Sequence, residues 1–157
     1  MNRLALLWLA LPVLGPGPTA VDVDDALYEA AFRQQRTELL DVDPFVDART
    51  VLCFSIDPGG APQSVTREHL ARLKLGPRVR RGAECEVRTK QTVELATNAP
   101  AIVVTVGPID WQAPDEAWVV VTQTWSVSKS TRRHYRVVRE PDGSWTSLGP
   151  IFKGEAG

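Results

Sequence analysis

The chain has 157 residues, a formal net charge of −1 from 18 basic and 19 acidic residues, and an apolar fraction of 43%. A length of this order suits one domain, and the apolar fraction is enough to build its core. Because the chain has no overall positive charge, we do not expect it to bind nucleic acid.

Residues 1–20 have the pattern of a secretory signal peptide. Arg3 supplies a positive charge, and the apolar run from Leu4 to Leu14 follows it. As a helix this run would be about 15–17 Å long, which is too short to span a membrane comfortably and suits the apolar core of a signal. We predict cleavage after Ala20 and an exported domain of residues 21–157 without stable membrane insertion. An uncleaved membrane anchor is the alternative.

The first part of the exported domain predicts two helices separated by one strand. Residues 24–40 have the apolar spacing of an amphipathic helix, which Pro44 prevents from continuing. Residues 49–56 alternate as a strand does. Ser64 is a candidate N-cap for a second, shorter helix that extends to about Lys74.

From residue 84 onward, alternating apolar and polar residues predict four or five antiparallel strands. The turn from Glu140 to Gly143 predicts a hairpin that leads into a strand opening at Trp145. On the strand before this turn, Tyr135 and Val137 should face the core. Helices followed by a run of strands indicate an α+β domain, with the helices covering one face of a curved antiparallel sheet.

The two cysteines, Cys53 and Cys85, both lie in the predicted exported domain. An even, sparse count in an oxidising compartment favours a disulfide, and two separate buried thiols are the alternative. The cysteines form no Cys-x-x-Cys pair, and the two histidines lack the spacing of a zinc finger. We therefore predict a Cys53–Cys85 disulfide, no metal site and no cofactor.

The segment from Tyr135 to Trp145, YRVVREPDGSW, resembles the last hairpin of nuclear-transport-factor-like and cystatin-like domains. Those domains also place a helix ahead of a curved antiparallel sheet. The resemblance covers the final third of the chain and the general order of its elements. It implies a conical fold with a pocket between helix and sheet. It implies no single activity, because the members include enzymes, binders and assembly modules.

Some enzymes of that fold use a histidine–aspartate pair or a lone carboxylate in the pocket, for which Asp110, His134 and His69 are the candidates here. We expect His134 to face outward among arginines, His69 to be half-exposed on the short helix, and Asp110 to lie in a loop over residues 107–111. No third residue orients any pair, and the chain has no Gly-x-Ser-x-Gly motif. We therefore predict no catalytic residues.

Five residues are candidates for binding. Trp111 and Trp118 flank a short polar segment and could form an exposed anchor, with core packing as the alternative. Arg132, His134 and Arg136 should share the outer face of one strand, in a stretch with no acidic residue. Such a basic surface would suit an acidic partner, and a solvated sheet face is the alternative.

The sequence thus predicts an exported, non-catalytic domain that binds a protein or a small ligand through its sheet face or its loop tips. One alternative is a pocket enzyme of the nuclear-transport-factor-like type, such as an isomerase or a hydratase. The other is an inhibitor or immunity-type protein that blocks a toxin or a hydrolase. An enzyme should place titratable groups in an apolar cavity, whereas a binder should expose an aromatic or basic patch.

Overall fold

The computed structural model describes residues 20–152. Its α-helices are α1 (Ala20–Arg36), which continues as a π-helical turn (Thr37–Val42), and α2 (Arg67–Leu73). Its strands are β1 (Val51–Ile56), β2 (Gln63–Ser64), β3 (Val79–Arg81), β4 (Cys85–Val87), β5 (Thr92–Glu94), β6 (Pro100–Ala113), β7 (Glu116–Ser126), β8 (Lys129–Arg139) and β9 (Trp145–Pro150). Neither α-helix in this range is long and apolar enough to cross a membrane.

The strands form one open mixed sheet whose main order is β2-β1-β6-β7-β8-β9. The predicted α+β class is confirmed. From residue 84 onward the structure has six strands, β4 to β9, each antiparallel to the next in chain order, where the sequence predicted four or five. With β1, β2 and β3 the described sheet has nine strands and is mixed. β1 runs parallel to both β3 and β6. Parallel pairing needs a crossover connection, and α2 lies in the crossover between β1 and β3.

The core lies between α1 and one side of the sheet, here called the helix face; the other side is the outer face. α1 contacts β1, β6, β7, β8 and β9. Phe32 of α1 stacks on Phe54 of β1 with ring centroids 4.3 Å apart. Tyr135 and Val137 are buried in this core, as the alternation on their strand predicts. The helix face therefore carries the apolar half of each long strand.

The predicted disulfide is confirmed: Cys53 of β1 is bonded to Cys85 of β4, with Cα atoms 6.3 Å apart. Cys53 belongs to a second, smaller core with Val51 and Ala101. Because Cys53 alternates with the helix-face residues of β1, the bond holds the β4–β5 hairpin over the outer face.

Three local predictions differ from the structure. Ser64 lies in β2, and Thr66 caps α2 instead, since its side chain accepts the backbone N–H of His69 at 3.1 Å. This brings His69 against α1, so it is 8% exposed rather than half-exposed. Residues 107–111 lie within β6 rather than in a loop, because a register shift between Val106 and Ile109 lets the strand continue past Gly107.

Candidate binding surface

Four of the five predicted binding residues lie together on the outer face. Trp118 pairs with Arg136, and the alternate positions of the same two strands place His134 and Arg132 on that side. The edge of the Trp118 ring meets His134 at a centroid distance of 6.4 Å. We call Trp118, Arg132, His134 and Arg136 the outer stripe.

The arginines of the outer stripe differ in their pairing. Arg136 makes two hydrogen bonds of 2.8 Å to the carboxylate of Glu116. These bonds hold the pKa of Glu116 below its usual value. Within residues 23–152, whose side chains the structure describes, no carboxylate oxygen lies within 4.0 Å of the Arg132 or His134 side-chain nitrogens. The positive charge of Arg132 is therefore available to a partner, whereas that of Arg136 is already neutralised.

Trp111 does not join the outer stripe. It pairs with Ala117, whose side chain is buried in the main core, so Trp111 lies on the helix-face side of the hairpin. It is 43% exposed and packs edge-on against Trp145 at 5.6 Å. Trp111 and Trp118 are thus on opposite sides of the sheet and cannot form one anchor.

The three catalytic candidates do not share a cavity. Asp110 pairs with Trp118 at the outer end of β6 and accepts a hydrogen bond of 2.9 Å from Gln112. His69 is buried between the helices, with its Nε2 3.9 Å from a carboxylate oxygen of Glu29 on α1. His134 is exposed on β8. No cluster that could hold a metal ion occurs among the described residues.

Polar groups between the C-terminal end of α1 and the sheet bond to one another. The Tyr135 hydroxyl donates to Oε2 of Glu38 at 2.8 Å, and Gln35 donates to the same oxygen at 3.0 Å. The Gln123 side-chain amide of β7 in turn donates to Oε1 of the Gln35 side chain at 2.6 Å. Burial, and then the bond to Glu38, raise the pKa of Tyr135 to about 12. These groups fasten the helix to the sheet.

A groove of about 360 Å³ opens at the end of the sheet where β7 turns into β8. Its walls come from the loop of residues 43–50, the turn of residues 90–92, the start of β6 and the β7–β8 turn. Phe45, Trp125, Lys90 and Lys129 all line it, and we call it the end groove. Sequence reasoning did not identify it, because its walls are distant from one another along the chain.

The loop that carries Phe45 has an internal framework of hydrogen bonds. The Asp43 carboxylate accepts the Phe45 N–H at 2.9 Å, and the Asp47 carboxylate accepts the Arg49 N–H at 2.7 Å. Arg78 donates to the Asp47 carbonyl oxygen at 3.0 Å. Within this framework the Phe45 side chain is 94% exposed. The two aspartates, each two residues before its donor, are a turn signal that the sequence does carry.

The acidic and basic side chains at the end groove differ in whether they already have a partner. The carboxylates of Asp43 and Asp47 accept hydrogen bonds within the loop. No carboxylate of residues 23–152 lies within 4.0 Å of the Lys90 or Lys129 ammonium groups. Lys129 Nζ lies 5.3 Å from the centroid of the Trp125 ring, at cation–π distance. The groove therefore joins an aromatic surface to two available cations.

Comparison of the chain with protein-family models, with curated proteins and with solved structures found no match. The resemblance of the last hairpin to nuclear-transport-factor-like and cystatin-like domains stays a prediction.

Proposed function

We propose that this chain is an exported, non-catalytic domain that binds a protein partner at the end groove. The observation that carries the proposal is the 94% exposure of Phe45 on a hydrogen-bonded loop beside the groove. Covering an exposed aromatic side chain with a partner removes apolar surface from water, which lowers the free energy of the complex. Aromatic residues are also enriched among binding hot spots. Val42, the last residue of the π-helical turn just before this loop, is also largely exposed.

The chemistry of the groove favours a partner that presents an apolar side chain next to a carboxylate. The apolar group would pack against Trp125 and Phe45. The carboxylate would reach Lys90 or Lys129, neither of which lies within 4.0 Å of the carboxylates of Asp43 and Asp47 that also line the groove. Charge complementarity of this kind raises the rate of encounter and selects among partners.

The exported location is proposed from the leader-like pattern of residues 1–20 and from the disulfide. Disulfides persist in oxidising compartments and are rare in a reducing cytosol. The Cys53–Cys85 bond therefore supports a domain that works outside the cytosol.

The proposal is tested by placing a photocrosslinking amino acid at position 45 in the full chain, in the cells that make it. The matched control carries it at Leu148, which is exposed on β9 and does not line the groove. We expect a protein to be crosslinked from position 45 and not from position 148.

The captured protein is then purified and its affinity measured. We expect Phe45→Ala to weaken binding about 30-fold, the size of a hot-spot loss of about 2 kcal/mol, and Leu148→Ala to leave it unchanged. Lys129→Gln should weaken binding more at low than at high salt. Equal crosslinking from both positions, or full affinity of the Phe45→Ala protein, would overturn the proposal.

A further inference from the structure

The sheet has an open edge beside the first half of β8. β9 pairs only with Tyr135–Arg139, and the Ile151 N–H then donates to the His134 carbonyl oxygen at 2.8 Å. Toward Lys129, no other strand of residues 20–152 pairs with β8 on this side. Among the residues that the structure describes, residues 129–133 therefore have a neighbouring strand, β7, on one side only.

The direction of the backbone groups at this edge follows from the His134 contact. In an antiparallel ladder, the N–H and C=O of one residue point to the same side, and successive residues alternate. The His134 carbonyl points to the β9 side, so the backbone groups of Arg132 and Ser130 point there too. Neither residue has a backbone partner on that side in the described part of the chain. They form a ready template for one more strand.

The side chains around the edge are basic. The basic residues there are Lys129, Arg132, Arg133 and His134. None of their side-chain nitrogens lies within 4.0 Å of a carboxylate of residues 23–152. A second copy paired here would set arginine against arginine, which is unfavourable. The charges thus keep the edge from pairing with itself and leave it complementary to an acidic strand.

We infer that the edge of β8 from Ser130 to Arg132 accepts an extended acidic segment of a partner protein as an additional strand. Main-chain hydrogen bonds would supply affinity, and the arginines would select acidic side chains, as in other cases of strand addition. The inference goes beyond the end groove and does not need it, since neither Ser130 nor Arg132 lines that groove.

The test uses a synthetic peptide of about ten residues in which glutamate alternates with threonine. A control peptide replaces each glutamate with lysine. Amide hydrogen exchange of the full chain is followed by NMR, with Thr131 and Arg133, which point toward β7, as internal references. We expect saturating acidic peptide to slow exchange at Ser130 and Arg132 by at least about tenfold and to leave the two references unchanged. The lysine peptide should have no effect.

Charge-reversed and groove variants separate this inference from the proposed function. Arg132→Glu combined with Arg133→Glu should lose the effect of the acidic peptide and gain one from the lysine peptide. Phe45→Ala should keep the acidic-peptide effect, because it alters only the groove.

Three results would overturn the inference. Slow exchange at Ser130 and Arg132 in the free protein at every concentration would mean that the chain itself covers the edge. Slow exchange that appears only as the protein is concentrated would mean that a second copy does. Unchanged exchange with the acidic peptide would mean that the edge adds no such strand.

Discussion

Tyr135 is a buried titratable residue whose proton the fold retains. Burial and the hydrogen bond to Glu38 raise its pKa from 10.0 to about 12. The unfolded chain would release this proton near pH 10, whereas the folded chain holds it until about pH 12. The resulting stabilisation is complete below about pH 10 and is lost as the pH rises through about 12. Two pKa units correspond to about 2–3 kcal/mol at most.

We therefore predict that the free energy of unfolding falls more steeply with alkaline pH in the natural chain than in Tyr135→Phe. The difference between the two chains should change by about 2–3 kcal/mol between about pH 9 and pH 12, measured by urea unfolding at several pH values. Burial also raises the pKa of Tyr28, but this residue is present in both chains, so its contribution cancels from the difference between them. Parallel pH profiles would contradict the prediction.

Single residues also show where sequence reasoning ends. The alternation of apolar and polar residues along its strand predicts that Tyr135 faces the core, and this pattern depends only on neighbours in the chain. Its hydroxyl partner Glu38 lies on another element, so the polar contact could not be predicted. The position of His69 on a short helix predicts a half-exposed side chain, but its burial depends on the contact between α1 and α2.

At the scale of elements, the disulfide joins the β4–β5 hairpin to β1 across 32 residues of chain. Closing a loop of this size stabilises the folded state by about 3–4 kcal/mol in the chain-entropy model. We predict that the double variant Cys53→Ala/Cys85→Ala has a free energy of unfolding lower than that of the natural chain by about this amount, measured by urea unfolding. Reduction of the natural chain, which leaves no cavity at the buried Cys53, is the control and should cost nearly as much. A loss below about 1 kcal/mol in both would contradict this account.

Some elements can be predicted from the sequence and others cannot, because only some of them depend on local patterns. The long strands and the last hairpin follow from local alternation and from the turn at Glu140–Gly143. The parallel pairing of β1 with β6 joins segments far apart in sequence, which no local pattern records. In the sequence Gly107 resembles a strand break. In the structure it lies within β6, at a point where the backbone of Asp57 comes close to it: its φ is +117°, and a Cβ there would overlap the Asp57 carbonyl oxygen.

At the scale of the whole molecule, the candidate surfaces differ in how visible they are in the sequence. The outer stripe could be predicted because alternate residues of one hairpin share a face. Trp111 could not be separated from Trp118 without the register of β6 against β7. The end groove depends on the meeting of four distant segments, so only its turn signals, Asp43 and Asp47, are local.

The main core also bears on the export prediction, because every residue of the described core cluster lies at Leu27 or beyond. A chain cleaved after Ala20 therefore keeps this core and the disulfide, and loses only the charge of Arg3 among residues 1–20. We predict that the protein isolated from the exported fraction begins at Val21 and gains the mass of two hydrogens on reduction, as measured by intact-mass spectrometry.

Leu7→Arg, which places a charge in the apolar run of the leader, provides the control for export. This variant should stay in the cytosol, keep its first 20 residues and leave both thiols reduced, because the apolar run is what an export pathway recognises. Exported natural protein that still contains residues 4–14 would instead identify the run as a membrane anchor. The disulfide measurement distinguishes this outcome from a failure of export: an anchored domain facing an oxidising compartment keeps the Cys53–Cys85 bond, whereas a cytosolic one does not.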